Sequence, residues 1–124
     1  MDWVIHSLRG RADIRAKLDE LSIDGLTISI ISLAELFEGV YYAHDPIGSQ
    51  AILGRFLQGV AVLDVDEDVA RIFGRERGRL RKLHQMIDDL DLLIAATAIR
   101  HGLTLLTNNR RDFERIENLR IVSL

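Results

Sequence analysis

The sequence predicts an α/β domain built on a mainly parallel sheet, and three observations support this. Short runs rich in β-branched and aliphatic residues, "LTISII", "VAVLDV", "LTLLT" and "RIVSL", alternate with longer stretches of helical periodicity. That is the pattern of strands joined by helical crossovers. The segment "DLLIAATAIRH" is apolar nearly all round and is closed by Gly102, marking a helix covered on every side. With 124 residues, 48% hydrophobic and 28% charged, the chain suffices for one compact domain burying roughly two-thirds of its unfolded surface. Residues 1–124 are read as that single domain.

In chain order, residues 12–21, "ADIRAKLDEL", carry Ile14, Leu18 and Leu21 at helical spacing, and the "DG" at 24 and 25 ends this amphipathic helix in a turn. Residues 26–31, "LTISII", are short and β-branched and read as a buried strand. "SLAELFEGVYYA" returns to helical periodicity, and the "DP" at 45 and 46 opens a further helix to about Gly59. "VAVLDV" is a second strand, and "DEDVARIFGRERGRLRKL" a long helix begun by acids, which favour the positive end of the helix dipole. After the apolar helix come the strands "LTLLT" and "RIVSL". No repeat, low-complexity tract or linker interrupts the pattern.

The formal charge of −3 means that a polyanionic partner must be met by a local basic patch or by metal ions rather than by overall attraction. The absence of cysteine excludes disulfides and thiolate metal sites and suits a reducing cytoplasm. The opening "MDWVIHSLRG" has no basic segment followed by an apolar one, and no apolar run reaches the ~20 residues a membrane span needs.

The chemistry is carried by acids. Asp89 and Asp91 precede the apolar helix, and Asp112 follows the strand after it. About ten helical residues descend roughly 15 Å and five strand residues climb back roughly 16 Å, so Asp91 and Asp112 are expected on one rim of the sheet. Glu35, expected in the first turn of the helix after the first predicted strand, shares that rim, because the carboxyl ends of parallel strands lie along one edge. Each acid also has a local reading. Ser32 and Glu35 form the capping-box pattern "SLAE", Asp89 or Asp91 can cap the apolar helix, and Asp112 can open the short helix "DFERI". Their conjunction on one rim favours a site for a hard divalent cation, Mg²⁺ or Mn²⁺, which would offset their mutual repulsion.

These same segments, "ISIISLAELFEG" and "DLDLLIAATAIRHGLTLLTNNRRDFERI", resemble the two signatures of PIN-domain ribonucleases, specifically VapC-type toxins of bacterial and archaeal toxin–antitoxin pairs. The resemblance spans nearly the whole chain and implies a three-layer α/β/α fold. By the same resemblance Glu35, Asp91 and Asp112 bind the metal, and Ser32, Asp89, Thr107 and Asn108 support them. It further implies Mg²⁺- or Mn²⁺-dependent hydrolysis of RNA, inhibition by a cognate antitoxin and a homodimer. The alternative is a catalytically impaired PIN-like module acting through its antitoxin or dimer surface. A receiver-like phosphoryl acceptor is disfavoured, because "LTLLTNNRR" offers no lysine after the late strand.

Metal-assisted phosphodiester hydrolysis requires no histidine base. None of His6, His44, His84 and His101 is assigned to catalysis, and His101 suits a helix C-terminus. Arg75, Arg77, Arg79, Arg81 and Lys82 form the densest basic cluster. A solvated helix face is the commoner role of such a cluster, and RNA phosphate contact the alternative. Tyr41 and Tyr42 could stack on bases or pack at a dimer seam, but with so few aromatics in the chain core packing is the better reading.

The start of the chain departs from the family pattern. Members open with a central strand ending in an Asp that binds the metal. Aligning "WVIHSLRG" on the helix that follows leaves that Asp and strand before Met1, with Asp2 at the third motif position. The expectation is an N-terminally shortened domain whose sheet lacks its first, central strand and whose activity is impaired.

Overall fold

Leu26–Ser29 (β2) and Thr104–Thr107 (β4) are buried at every consecutive position, as strands are when a parallel sheet is covered on both faces. The computed structural model describes residues 3–5 and 26–123. With Trp3–Ile5 as β1, Ala61–Leu63 as β3 and Arg120–Ser123 as β5, the sheet runs β3-β2-β1-β4-β5. Every adjacent pair is parallel. The helices described are α1 Ile30–Tyr42, α2 Pro46–Leu57, α3 Glu67–Lys82, α4 Asp89–Arg100 and α5 Arg110–Phe113.

The expectation of a missing central strand is overturned, because β1 occupies the centre. Val4 lies opposite Thr27 on one side and Leu105 on the other, and Ile5 opposite Leu106. A short run of one aromatic and two β-branched residues suits a strand as well as a helix. The facing edges of β2 and β4 also carry backbone groups that need partners. The amphipathic helix expected at residues 12–21, the turn at 24 and 25, and Asp2 lie outside the described residues.

Capping sets the other boundaries. The strand expected to run to residue 31 stops at Ser29, whose Oγ accepts the Ser32 N–H at 2.9 Å; Ile30 and Ile31 therefore join α1. Asp45 accepts the Gly48 N–H at 3.1 Å with Pro46 at the first helical position, and α2 ends at Leu57, short of Gly59. Asp66 caps α3 by accepting the Val69 N–H at 2.8 Å.

The core is organised around α4, where Leu92, Ile94, Ala95, Ala96, Thr97 and Ala98 are buried. Of these, Leu92, Ile94, Ala95 and Ala98 cluster with Leu80 of α3, Leu105 of β4, Phe113 and Ile116. Thr97, a polar residue in this setting, donates its hydroxyl to the Leu93 carbonyl at 2.8 Å. The helix ends in a Schellman motif: Gly102 adopts φ +65° while the Leu103 N–H reaches the Ala98 carbonyl at 2.9 Å. The chain then turns straight into β4. α3 closes the same way, with His84 at φ +55° and the Gln85 N–H on the Leu80 carbonyl.

Ion pairs lock α3 antiparallel to α4. Arg77 meets Asp89 at 3.0 Å, and at the other end Arg100 meets Asp68 at 3.1 Å. Glu76 is buried within α3; it binds Arg79 at 2.6 Å and accepts the Glu117 N–H at 3.2 Å, while Arg79 donates to the Arg115 carbonyl. This network ties α3 to the segment entering β5. Glu76→Leu takes the carboxylate from Arg79, which keeps only the Arg115 carbonyl and the more distant Glu117 carboxylate, and leaves the Glu117 amide without its acceptor, at an expected cost of about 2–3 kcal/mol. Urea unfolding measures this loss, and a change below ~0.5 kcal/mol would show the network to be dispensable.

The strand order fixes where chemistry can occur. The chain steps outward from β1 through β2 to β3, then crosses back to β4 and β5. The order reverses between β1 and β4, and the crevice beyond the carboxyl ends at such a reversal is the standard ligand position in open α/β sheets.

Candidate active site

β4 delivers its C-terminal residue, Thr107, to this rim fully buried. Its Oγ1 accepts the Asn109 N–H at 2.9 Å, and Asn109 Nδ2 donates to Asp112 Oδ2 at 3.0 Å. The strand end thus holds the loop, and the loop holds a half-buried carboxylate. Asp112 lies inside α5, which begins at Arg110, so the expectation that Asp112 opens its helix is corrected. The Arg115 guanidinium stands 4.0 Å from its other oxygen.

The opposite wall is the start of α4. Its N-cap is Asp88, whose Oδ2 accepts the N–H groups of Leu90 at 3.1 Å and Asp91 at 3.4 Å. Capping therefore falls to Asp88 rather than to Asp89 or Asp91. Asp89 is exposed and paired with Arg77. Asp91, in the third helical position, is half-buried and its carboxyl is raised from 3.8 to about 6. Burial is the main cause, followed by the charges of Asp88 and Asp112. Asp91 and Asp112 therefore sense each other across the crevice.

Glu35 stands apart from this pair in setting. With Ser29 as N-cap, Ser32 is the third helical residue and Glu35 the sixth, so Glu35 lies in the second turn rather than the first. The capping-box reading of "SLAE" is thereby removed, because Ser32 is not the cap. Ser32 is buried and its Oγ accepts from the Ser29 hydroxyl at 3.0 Å. Glu35 is exposed on α1, a helix that packs against α4. Among the described residues, no three His, Asp or Glu side chains are grouped so as to hold a metal as they stand. Asn108 is exposed beside Asn109.

A PIN-domain family model matches residues 3–119, almost the whole chain. This chain belongs to the PIN-domain family. It is 39% identical over 117 residues to ribonuclease VapC19 of Mycobacterium tuberculosis, covering 93% of this chain and 90% of that protein. It is 32% identical over 109 residues to the tRNA(fMet)-specific endonuclease VapC of Shigella flexneri, covering 88% and 82%. Its fold is similar to that of Rickettsia felis VapBC2, solved bound to a DNA fragment from its promoter, with a TM-score of 0.89, 29% identity and coverage of 100% and 99%.

Two residues that matter to the geometry of this PIN site, Asp88 and Asn109, are not among the sequence candidates. The signal for Asp88 is its position three residues before Asp91, the spacing of an N-cap and its third helical residue. Asn109 precedes Asp112 by three residues and follows Thr107 by two, short enough for side-chain contact through a turn. The core reading of Tyr41 and Tyr42 is corrected, because they are 73% and 87% exposed at the end of α1. Within the basic cluster, Arg77 and Arg79 are engaged in the pairs described above, whereas Arg75, Arg81 and Lys82 are exposed.

The raised Asp91 carboxyl has a stability consequence in the metal-free protein. The folded state binds the Asp91 proton up to about pH 6, while the unfolded chain releases it near 4. Stability is therefore lost as pH rises through that window, and the penalty is complete above it. Asp91→Asn should stabilise the metal-free protein by roughly 1–2 kcal/mol at pH 7.5, after allowance for solvent screening. The gain should vanish below pH 4. Denaturation curves of both proteins in EDTA at the two pH values measure it, and a destabilised variant at pH 7.5 would assign Asp91 a structural role.

Proposed function

We propose that this chain is a metal-dependent endoribonuclease, the toxin of a VapBC-type toxin–antitoxin module, which hydrolyses RNA phosphodiester bonds in the cytoplasm. The observation that carries the reading is the half-buried Asp91 facing Asp112 at the reversal point of a PIN sheet. The ribonuclease relatives and the VapBC complex give that pair its context. The partners are RNA as substrate, a cognate antitoxin that restrains the toxin, and a second copy in a homodimer.

The donor chemistry fits a hard divalent cation, Mg²⁺ or Mn²⁺. Asp91 and Asp112 are oxygen ligands whose mutual repulsion a cation would relieve. Glu35 is the third carboxylate assigned to it. Bound there, the cation would stabilise charge on the phosphate oxygens and acidify the attacking water. The remaining residues position these groups. Asn109 fixes the Asp112 carboxylate, Thr107 fixes Asn109, and Asp88 closes the helix that carries Asp91. Ser32 and Asn108 are assigned support at the same rim, and Asp89 aligns the start of α4 through Arg77.

Asp112→Asn and Glu35→Gln should each lower cleavage of a single-stranded RNA by about 10²-fold or more, and EDTA should abolish it. Undiminished cleavage in EDTA would contradict the metal assignment. A second reading, an impaired module acting through antitoxin or dimer binding, is favoured by the lack of a grouped three-donor set among the described residues. No cleavage with either metal, alongside retained antitoxin binding, would select it.

A further inference from the structure

Glu76 is a buried carboxylate outside the Asp91–Asp112 crevice. It sits in the middle of α3 with its side chain only 2% exposed, and a charge withdrawn that far from water is costly unless it is fully bonded. Both of its oxygens are engaged. Oε2 binds the Arg79 guanidinium at 2.6 Å, and Oε1 accepts the Glu117 N–H at 3.2 Å. Exchange of such a pair for apolar side chains of similar volume is often neutral or stabilising, so filling the core does not call for a charge here. What the pair supplies is direction, because it aims a guanidinium at one point of the backbone.

From that point the bonds run to the crevice. Arg79 Nη2 donates to the Arg115 carbonyl at 2.6 Å, and the Arg115 N–H donates to the Asp112 carbonyl at 3.2 Å. The backbone at Arg115 is thus held from α3 and tied to the residue that carries the carboxylate. Its side chain reaches further. Arg115 Nη1 stands 3.3 Å from the Met86 carbonyl and 4.0 Å from Asp112 Oδ1, while Asn109 holds the other Asp112 oxygen. Met86 lies two residues before the Asp88 cap of α4, and Ile87 between them is buried in the core. One nitrogen therefore stands between the segment leading into α4 and the carboxylate on the opposite wall. We infer that Arg115 is a positioning residue for the cation site, a strut between its two walls that is aimed from α3 by the Glu76–Arg79 pair and sets the separation of Asp91 and Asp112. The two carboxylates repel each other without a cation, and a guanidinium within reach of both walls opposes their spreading.

The inference rests on the metal-dependent nuclease reading, so the full chain is tested in two ways that need no cleavage: Mn²⁺ binding by EPR, and ¹H–¹⁵N spectra in EDTA. Arg115→Gln removes a positive charge beside the carboxylates, which by charge alone would tighten Mn²⁺ binding. As loss of the strut it should instead weaken binding about tenfold, the usual effect of removing an outer-shell partner. The double variant Glu76→Leu/Arg79→Met replaces the buried pair with apolar helix formers and leaves the charges of the crevice as they are. It should weaken Mn²⁺ binding in the same direction, and both variants should shift the Asp91 amide resonance in EDTA. When cleavage of a single-stranded RNA is followed, kcat should fall while KM for the RNA stays near the wild-type value. Tighter Mn²⁺ binding by Arg115→Gln would overturn the inference, as would a folded double variant with wild-type Mn²⁺ affinity and an unmoved Asp91 amide. A wild type that binds no Mn²⁺ would overturn the metal reading alone. The spectra in EDTA would then still decide the strut, which an Asp91 amide unmoved by Arg115→Gln would remove.

Discussion

The burial of α4 is the constraint on which the rest of the structure depends. From Leu92 to Ala98 this helix has one residue, Leu93, that is not fully buried, so it must be enclosed on nearly every side. β4 and β2 close one side and α3 the other, held by the Arg77–Asp89 and Arg100–Asp68 pairs at opposite ends. The Schellman turn at Gly102 then commits the chain to β4 at once. The only part of α4 that reaches the rim is its first turn, and that turn consists of Asp89, Leu90 and Asp91 behind the Asp88 cap. Enclosure of an apolar helix therefore places Asp91 at the crevice.

The cost of that placement is electrostatic. Asp91 is partly desolvated and faces two more carboxylates, and its raised pKa expresses the strain in the metal-free protein. Capping side chains relieve backbone groups, as Ser29, Asp45, Asp66 and Asp88 do. Asp91, by contrast, sits in the first turn behind the Asp88 cap, where burial and the neighbouring carboxylates oppose its ionisation. A fold stabilised by such groups would surround them with cations, as it does for Glu76. Around Asp112 the partners are the Asn109 amide at 3.0 Å and the Arg115 guanidinium at 4.0 Å, the limit of an ion pair.

Much of this was legible in the sequence because periodicity reports burial. The apolar helix, the strand after it, and the Asp91 and Asp112 pairing on one rim follow from helix and strand rise alone. Boundaries were less legible. "LTISIISL" does not reveal that Ser29 rather than Ser32 closes the strand, because both are serines three residues before a possible hydrogen-bond partner. That shift moves Glu35 from the first turn to the second. Three residues, "WVI", carry too little pattern to separate helix from strand; the neighbours β2 and β4 decide it through a ladder that sequence cannot display. Tyr41 and Tyr42 illustrate the converse limit: aromatic identity predicts burial on average, yet both stand exposed at a helix end.

The central claim is that the Asp91–Asp112 crevice is a cation site whose charge is unbalanced without its ion. Carboxyl ¹³C NMR of Asp91 as a function of pH, with and without saturating Mg²⁺, tests it directly. In EDTA the midpoint should lie at about 6; with Mg²⁺ it should fall below the ordinary aspartate value of about 3.9. A midpoint that Mg²⁺ leaves unmoved, or one already near 3.9 in EDTA, would contradict the account.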